Sequence, residues 1–238
     1  MTLYFNAKEL PESTPEYVAW VDVMGTQSVM SRSLSIAANF IFKLHTAALD
    51  AQKKTDGNIH LYPVMDGLYA SSSSQEAILY FLRSVFCKIA ETLILEENNM
   101  YRFIVRGALA FGPIIHGKNV SEKTSNVLGC EPGIQYKNAI FLGMPIVQSC
   151  QGEKNAPPLG LFVHESARAF APEGTNPLHD VWWKWCTGGN VDTRQTWSKS
   201  QKALEEYFIW CKDHAQSILY PSKRIEVHSE LVRQYFAK

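Results

Sequence analysis

Two aspartates define the chemistry open to this sequence. Asp22 stands inside the apolar run Tyr17-Val18-Ala19-Trp20-Val21-Asp22-Val23-Met24-Gly25-Thr26, which a glycine turn closes. A carboxylate in such a run loses stability or shifts its pKa unless its charge is compensated, and a divalent cation is the simplest compensator. The run reads as a strand ending at Asp22, a turn whose Met24, Gly25 and Thr26 amides face an anion, and then a helix. Carboxylate oxygens suit Mg²⁺ or Mn²⁺, and successive N–H groups at a helix start suit phosphate. Asp-x-x-Gly also closes strands for turn geometry alone. The second aspartate, Asp66, lies in residues 58–70, two short apolar strands meeting at Asp66-Gly67, a strong hairpin signal. Paired in one sheet, the two strands bring Asp22 and Asp66 to one edge, as a two-metal site for phosphoryl chemistry requires.

The elements that must position them follow from periodicity. Residues 28–54 read as one long helix, with Leu34, Ala37, Ala38, Ile41, Leu44 and Ala48 at helical spacing. His45, beside that stripe, has no ligand at i+3 or i+4 and reads as a packed or exposed histidine. The Ser71–Ser74 run offers an N-cap to a helix over 75–97 that buries Ile78, Leu82, Val85, Ile89 and Leu93. Residues 101–117 form a strand or hairpin broken at Gly112-Pro113, with Arg106 in its apolar part, where a permanent cation needs an anionic or hydrogen-bonding partner. Residues 118–138 are polar and read as a loop or β-arm, and 139–156 hold a helix with Gln151. The last seventy residues offer an aromatic strand at 180–186, a Gly188-Gly189 break and an amphipathic helix over 202–216. Their tryptophans lack interleaved basic residues, so core packing or a dimer contact suits them better than stacking on nucleic acid.

The 238 residues, 46% of them hydrophobic, are within the range of one domain, 1–238. A formal net charge of zero shows no chain-wide footprint for nucleic acid. Five cysteines without Cys-x-x-Cys spacing are expected to stay reduced. No signal pattern and no apolar run of membrane-spanning length is present, so a cytoplasmic protein is expected. Residues 1–16 are a polar lead in which Leu3, Tyr4 and Phe5 are expected to pack.

At these residues the chain resembles the class III nucleotidyl cyclases. Val21-Asp22-Val23-Met24-Gly25-Thr26 is similar to the family's Phe-x-Asp-Ile-x-Gly-Phe-Thr segment, and Met65-Asp66-Gly67 sits where the second metal-binding Asp belongs. Val105 to Gly112 resembles the Arg-x-Gly-Ile-x-x-Gly strand, Gly143 to Glu153 the late Gly-Asp-x-Val-Asn-x-Ala-x-Arg-Leu-Glu helix, and Leu161 to Ser166 the strand that follows. The order and spacing agree over about 17–170, leaving 171–238 as an extension. The family's purine-selecting Lys falls on Tyr62, and its ribose-orienting Asn and transition-state Arg fall on Val147 and Gln151. That pattern is more similar to the bacterial pyrimidine cyclases of phage defence, the Pycsar cyclases, which also resemble this chain in the Arg-Gly-Ala-Leu run.

The resemblance implies an α/β (α+β) domain with a ferredoxin-like, mostly antiparallel sheet flanked by helices, working as a head-to-tail homodimer. It implies Asp22 and Asp66, with the Val23 carbonyl, holding two Mg²⁺ or Mn²⁺ ions, the Met24, Gly25 and Thr26 amides cradling pyrophosphate, and Gln151 at the reacting phosphate. Tyr62 and Arg106 are expected to read a pyrimidine edge together, through donors that suit its acceptors. Gln151 carries no charge, so Lys137 or Lys154 is considered as a substitute cation. The expected reaction converts UTP or CTP to a 3′,5′-cyclic monophosphate, an antiphage second messenger read by a separate effector. An adenylyl or guanylyl cyclase, or a catalytically silent nucleotide sensor of the same fold, remains open.

Overall fold

The computed structural model describes residues 10–120 and 131–237. Leu3, Tyr4, Phe5, Cys130 and the polar stretch 121–130 lie outside the described residues. A sheet of seven strands organises the rest in the order β2-β3-β1-β4-β6-β7, with β5 paired to β4 off that path. These strands are β1 (Thr14–Val23), β2 (His60–Val64), β3 (Gly67–Ser72), β4 (Val105–His116), β5 (Phe141–Leu142), β6 (Leu161–Val163) and β7 (Trp182–Trp183). Only β4 and β6 run parallel; every other pair is antiparallel, in agreement with the expected mostly antiparallel sheet. Both edges are blunt. β2 carries Pro63, which has no ladder donor, and β7 is two residues long.

Alternation along β1 assigns the two faces of the sheet. Tyr17, Ala19, Val21 and Val23 are buried in the main core, with Phe40 and Leu44 of helix α2 (Leu34–Gln52) and Phe81, Leu82, Val85 and Ile89 of helix α3 (Gln75–Leu95). The intervening Glu16, Val18, Trp20 and Asp22 therefore point to the other face, across which helix α5 (Met144–Gly152) runs. Gly152 allows that approach: a Cβ there would lie 3.2 Å from the Ala108 Cβ and 3.1 Å from the Phe162 ring.

α3 begins where the sequence places it, with Ser74 Oγ accepting from the Ala77 amide, and it buries the expected stripe. The helix expected over 28–54 is instead two. A short α1 (Thr26–Met30) ends before Ser33, whose extended backbone and side-chain acceptor for the Ile36 amide start α2 afresh. That restart turns Leu34 outward, 73% exposed, and places Phe40 in the stripe. β4 runs through Gly112-Pro113 without the expected break. The hairpin turn falls one residue early, on Met65-Asp66, because Val64 pairs with Gly67; Met65 takes the left-handed conformation at φ 52°. Residues 131–138, expected as loop or arm, form helix α4 (Glu131–Asn138).

Past β6 and the short α6 (Glu165–Ala169), the extension joins the same core. Trp185 is fully buried, its indole N–H donating to the Leu159 carbonyl at 3.0 Å, and Tyr235 donates to the Trp183 carbonyl at 2.7 Å. The tryptophans are thus packing residues, as their lack of basic neighbours suggests. The helix expected over 202–216 starts earlier, as α7 (Val191–Asp213), because Asn190 Oδ1 accepts from the Thr193 amide and caps it. A further helix, α8 (Ser222–Phe236), buries Ile225, His228, Val232 and Tyr235. Among the described residues no helix is long and apolar enough to cross a membrane.

Gly107 sits where β1 and β4 pass closest to the site end of the sheet. A Cβ there would stand 2.5 Å from the Trp20 carbonyl oxygen and 3.1 Å from Leu161 Cδ1. Gly107→Ala is expected to destabilise the fold by about 1–3 kcal/mol, as a lower urea midpoint at unchanged slope.

Candidate active site at the end of the central strands

The pairing of β1 brings the two aspartates together as expected. Asp22 stands opposite Gly67 on β3, so Asp66, in the turn just before it, is its neighbour. On the other side Asp22 stands opposite Arg106 of β4. The Asp22 Oδ1 atom is buried and has no hydrogen-bond partner among the described residues. Burial pushes the Asp22 carboxyl up to about 7, and the negative charges of Asp66 and Glu153 add to the rise. A buried, unpartnered carboxylate oxygen beside a second carboxylate is what a divalent cation would satisfy, so the donor set fits the implied metal. Val23 retains one carbonyl lone pair for the same purpose, the other accepting from the Thr26 hydroxyl at 2.9 Å. Among the described residues no three His, Cys, Asp or Glu side chains gather as a metal cluster, so such an ion would draw further ligands from phosphate and water.

The anion cradle is narrower than the sequence suggests. The Met24 amide donates to the Ile104 carbonyl at 2.8 Å, which commits it to the strand end and removes it from the expected phosphate set. Gly25, left-handed at φ 77°, turns the chain into α1, and the amides of Gly25 and Thr26 precede its first intrahelical bond, from Val29 to the Gly25 carbonyl.

Arg106 and Tyr62 are not brought together. Tyr62 shares a register row with Tyr69 and Trp20, two residues along the strands from the row of Asp22, and β3 and β1 separate its strand from that of Arg106. With neighbouring strands about 4.8 Å apart and about 3.3 Å per residue, the two lie on the order of 15 Å apart, too far to read one base edge. Each is also engaged. Arg106 Nε donates to Glu153 Oε1, with both side chains mostly shielded from water. Tyr62 is 6% exposed, its ring stacked on Phe141 at 4.0 Å, and its hydroxyl hydrogen-bonds His116 Nδ1.

That bond belongs to a buried chain. His116 Nε2 lies 2.9 Å from Glu16 Oε1, which also accepts from the Thr14 hydroxyl at 3.1 Å. Burial works to raise the Glu16 pKa, but the hydrogen bond and charge of His116 outweigh it and hold the carboxyl below its ordinary value. An ionised Glu16 only accepts, so His116 Nε2 carries a proton toward it, while Nδ1 shares its hydrogen bond with the Tyr62 hydroxyl. Burial, with the Glu16 charge, pushes the Tyr62 hydroxyl up to about 12. The Tyr62 hydroxyl is thus committed to His116.

Gln151 and Val147 are both exposed on α5. Lys137 is no substitute cation: it is buried, and its Nζ donates to the Val120 carbonyl at 2.7 Å. Lys154 is exposed. Two groups of the extension that the sequence reading did not single out border the site. Tyr220 hydrogen-bonds His228 Nδ1, and burial together with the charges of Arg106 and Arg224 pushes His228 down to about 4. Ser28 Oγ reaches the Leu219 carbonyl at 3.3 Å, tying the extension to α1. The signal for α8 was the helical spacing of Ile225, His228, Val232 and Tyr235; nothing local marks its neighbourhood with Arg106.

No protein-family model matches the chain, and no curated protein matches it in sequence. Among solved structures, a monomeric double mutant of the guanylyl cyclase domain of the RhoGC fusion protein from the aquatic fungus Blastocladiella emersonii is similar at TM-score 0.50 and 13% identity, over 66% of this chain and 83% of that one. The guanylate cyclase domain of RhGC from Catenaria anguillulae, in complex with GTP, has a TM-score of 0.47 and 14% identity over 66% and 81%. A bacterial light-regulated adenylyl cyclase has a TM-score of 0.48 and 10% identity over 66% and 45%. At these identities the likeness is one of fold: a mixed α+β sheet flanked by helices, as in the B. emersonii guanylyl cyclase domain.

Two outcomes are expected from this geometry. A folded-state carboxyl raised to about 7 keeps a proton that the unfolded chain releases, so without divalent cations stability falls as pH rises from the ordinary carboxylate range to about 7. Asp22→Asn should therefore raise Tm at pH 8 by more than at pH 5, and Mg²⁺ should raise Tm at pH 8 in the unsubstituted protein and not in the variant. Tyr62→Phe leaves the buried His116 Nδ1 without its hydrogen-bond partner and should cost about 1–3 kcal/mol in urea unfolding, while leaving the ranking of nucleotide affinities unmoved.

Proposed function

We propose that this chain is a nucleotide cyclase, converting a ribonucleoside triphosphate to its 3′,5′-cyclic monophosphate and pyrophosphate. The observation that carries the reading is the buried, unpartnered Asp22 Oδ1 beside Asp66 and opposite Arg106, on a sheet shared in fold with a guanylyl cyclase domain. Asp22, Asp66 and the Val23 carbonyl would hold Mg²⁺ or Mn²⁺, which when bound supplies Lewis acidity toward the 3′-hydroxyl and the leaving pyrophosphate. In the reaction the 3′-oxygen bonds to the α-phosphorus, the bond from that phosphorus to the pyrophosphate oxygen breaks, and the hydroxyl proton is lost to solvent. Gly25 and Thr26 offer amides to the departing phosphates. Arg106, in the same register row as Asp22, serves phosphate and not the base.

UTP or CTP is the substrate we place first. The row of Trp20, Tyr69, Tyr62 and Phe141 packs the sheet face beyond the aspartates, with rings 4.0 to 5.1 Å apart, and a smaller base asks less room of it. The resemblance of the Arg-Gly-Ala-Leu run supports the same choice, and it alone supports an antiphage messenger read by a separate effector. ATP or GTP is the alternative within the same chemistry, the one that the cyclase neighbours favour. Gln151 lies exposed on α5, over the face that holds the aspartates, which suits a head-to-tail homodimer in which one chain's α5 completes the other's site. One observation favours a sensor without turnover: Gln151 is uncharged and Val147 apolar, leaving α5 without a cation for the transition state.

Incubation with Mn²⁺ and each of the four ribonucleoside triphosphates, with products identified by mass, is expected to yield a cyclic pyrimidine monophosphate. Asp66→Ala should lower that yield by at least about a hundredfold, by loss of a metal-holding carboxylate. Cyclic AMP or cyclic GMP would keep the site and change the base, and binding with no product would leave the sensor.

A further inference from the structure

Arg106 has a choice of anions, and it takes the one that is not an aspartate of the site. Asp22 faces it across the β1–β4 ladder, yet Asp22 Oδ1 stays unpartnered while the guanidinium donates to Glu153. Glu153 closes α5 with its own amide bonded to the Ser149 carbonyl, directly after the Gly152 that lets the helix end press on Ala108 and Phe162. The helix end is thus held against the sheet, and the carboxylate is delivered to Arg106 with only 13% of its side chain exposed, against 19% for the arginine. Glu153 adds to the negative field on Asp22 without joining the two aspartates as a third metal ligand, since no such group of three exists among the described residues.

We propose that Glu153 is the resident counter-ion of Arg106, and that a polyphosphate must exchange with it to bind. This rests on the cyclase reading for the identity of the anion. Breaking a shielded ion pair from one side strands the other charge, so an entering ligand has to supply at least what the carboxylate supplied. A triphosphate does so with charge to spare. A cyclic monophosphate, with a single negative charge, offers Arg106 no more than Glu153 already gives and is handed back to solvent as the carboxylate returns. The same residue then favours substrate on entry and releases product after the bond is made.

E153Q removes the charge and keeps the side chain's shape. In calorimetric titration of the full chain with inorganic tripolyphosphate, without divalent cations, E153Q is expected to bind about tenfold more tightly than the unsubstituted protein. The gain should vanish when R106Q is added. Equal or weaker binding by E153Q overturns the exchange. In the unsubstituted protein the Nε–H resonance of Arg106, identified by its loss in R106Q, must shift as tripolyphosphate is added. A resonance that stays put overturns the proposal even where E153Q fails to fold. Turnover without this exchange would remove the counter-ion role and leave the cyclase reading. Exchange without turnover of any triphosphate would do the reverse.

Discussion

The structure depends on a carboxylate placed on a central strand of a packed sheet. Asp22 is flanked by β3 and β4, and its buried Oδ1 finds no donor among the described residues. Desolvation of that kind disfavours the charged form, and the neighbouring Asp66 and Glu153 make it worse. A sheet this well paired carries such a cost only where something else is gained, and buried groups with shifted ionisation gather at functional sites. The nearby features answer to that one charge: a second aspartate delivered by the β2–β3 turn, and an arginine opposite, itself neutralised by the end of α5.

Farther along the same face, Glu16, His116 and Tyr62 form a chain of hydrogen bonds beside Phe141, although Glu16 Oε2, like Asp22 Oδ1, finds no partner among the described residues. What separates the two ends is charge: the Glu16 carboxyl, beside His116, is held below its ordinary value, whereas burial and the charges of Asp66 and Glu153 push the Asp22 carboxyl up. By the first reading of the sequence both ends of the face belonged to one pocket. The register sets Tyr62 two rows from the aspartates with two strands between its own strand and that of Arg106.

What the sequence made legible was whatever depends on short-range period. The apolar run to Asp22, the hairpin to Asp66 and the Ile78 to Leu93 stripe all follow from alternation or helical spacing, and all appear in place. Contacts across the fold were not legible. Arg106 and Glu153 are 47 residues apart, and neither has a local feature that names the other. Tyr62 lies two register rows from the aspartates, about 7 Å along β2, and its side chain is taken up by Phe141 and His116, contacts that no local pattern marks. The helix over 28–54 divided because Ser33 prefers capping to continuing, a preference that hydrophobic spacing does not register. The extension around α8 escaped for a similar reason: its spacing is plain, but its destination beside Arg106 is set by tertiary packing.

The two blunt edges of the sheet have a consequence for crowding. A proline on β2 and a two-residue β7 shorten, among the described residues, the free ladder on which another chain could add a strand, which works against the edge-to-edge polymerisation that exposed sheets invite. Any contact between copies must then be made by side chains, on helical or loop surface, where charge and shape can specify one geometry. A chain kept at high local concentration is thus steered toward assemblies built on side-chain contacts and away from shared sheets.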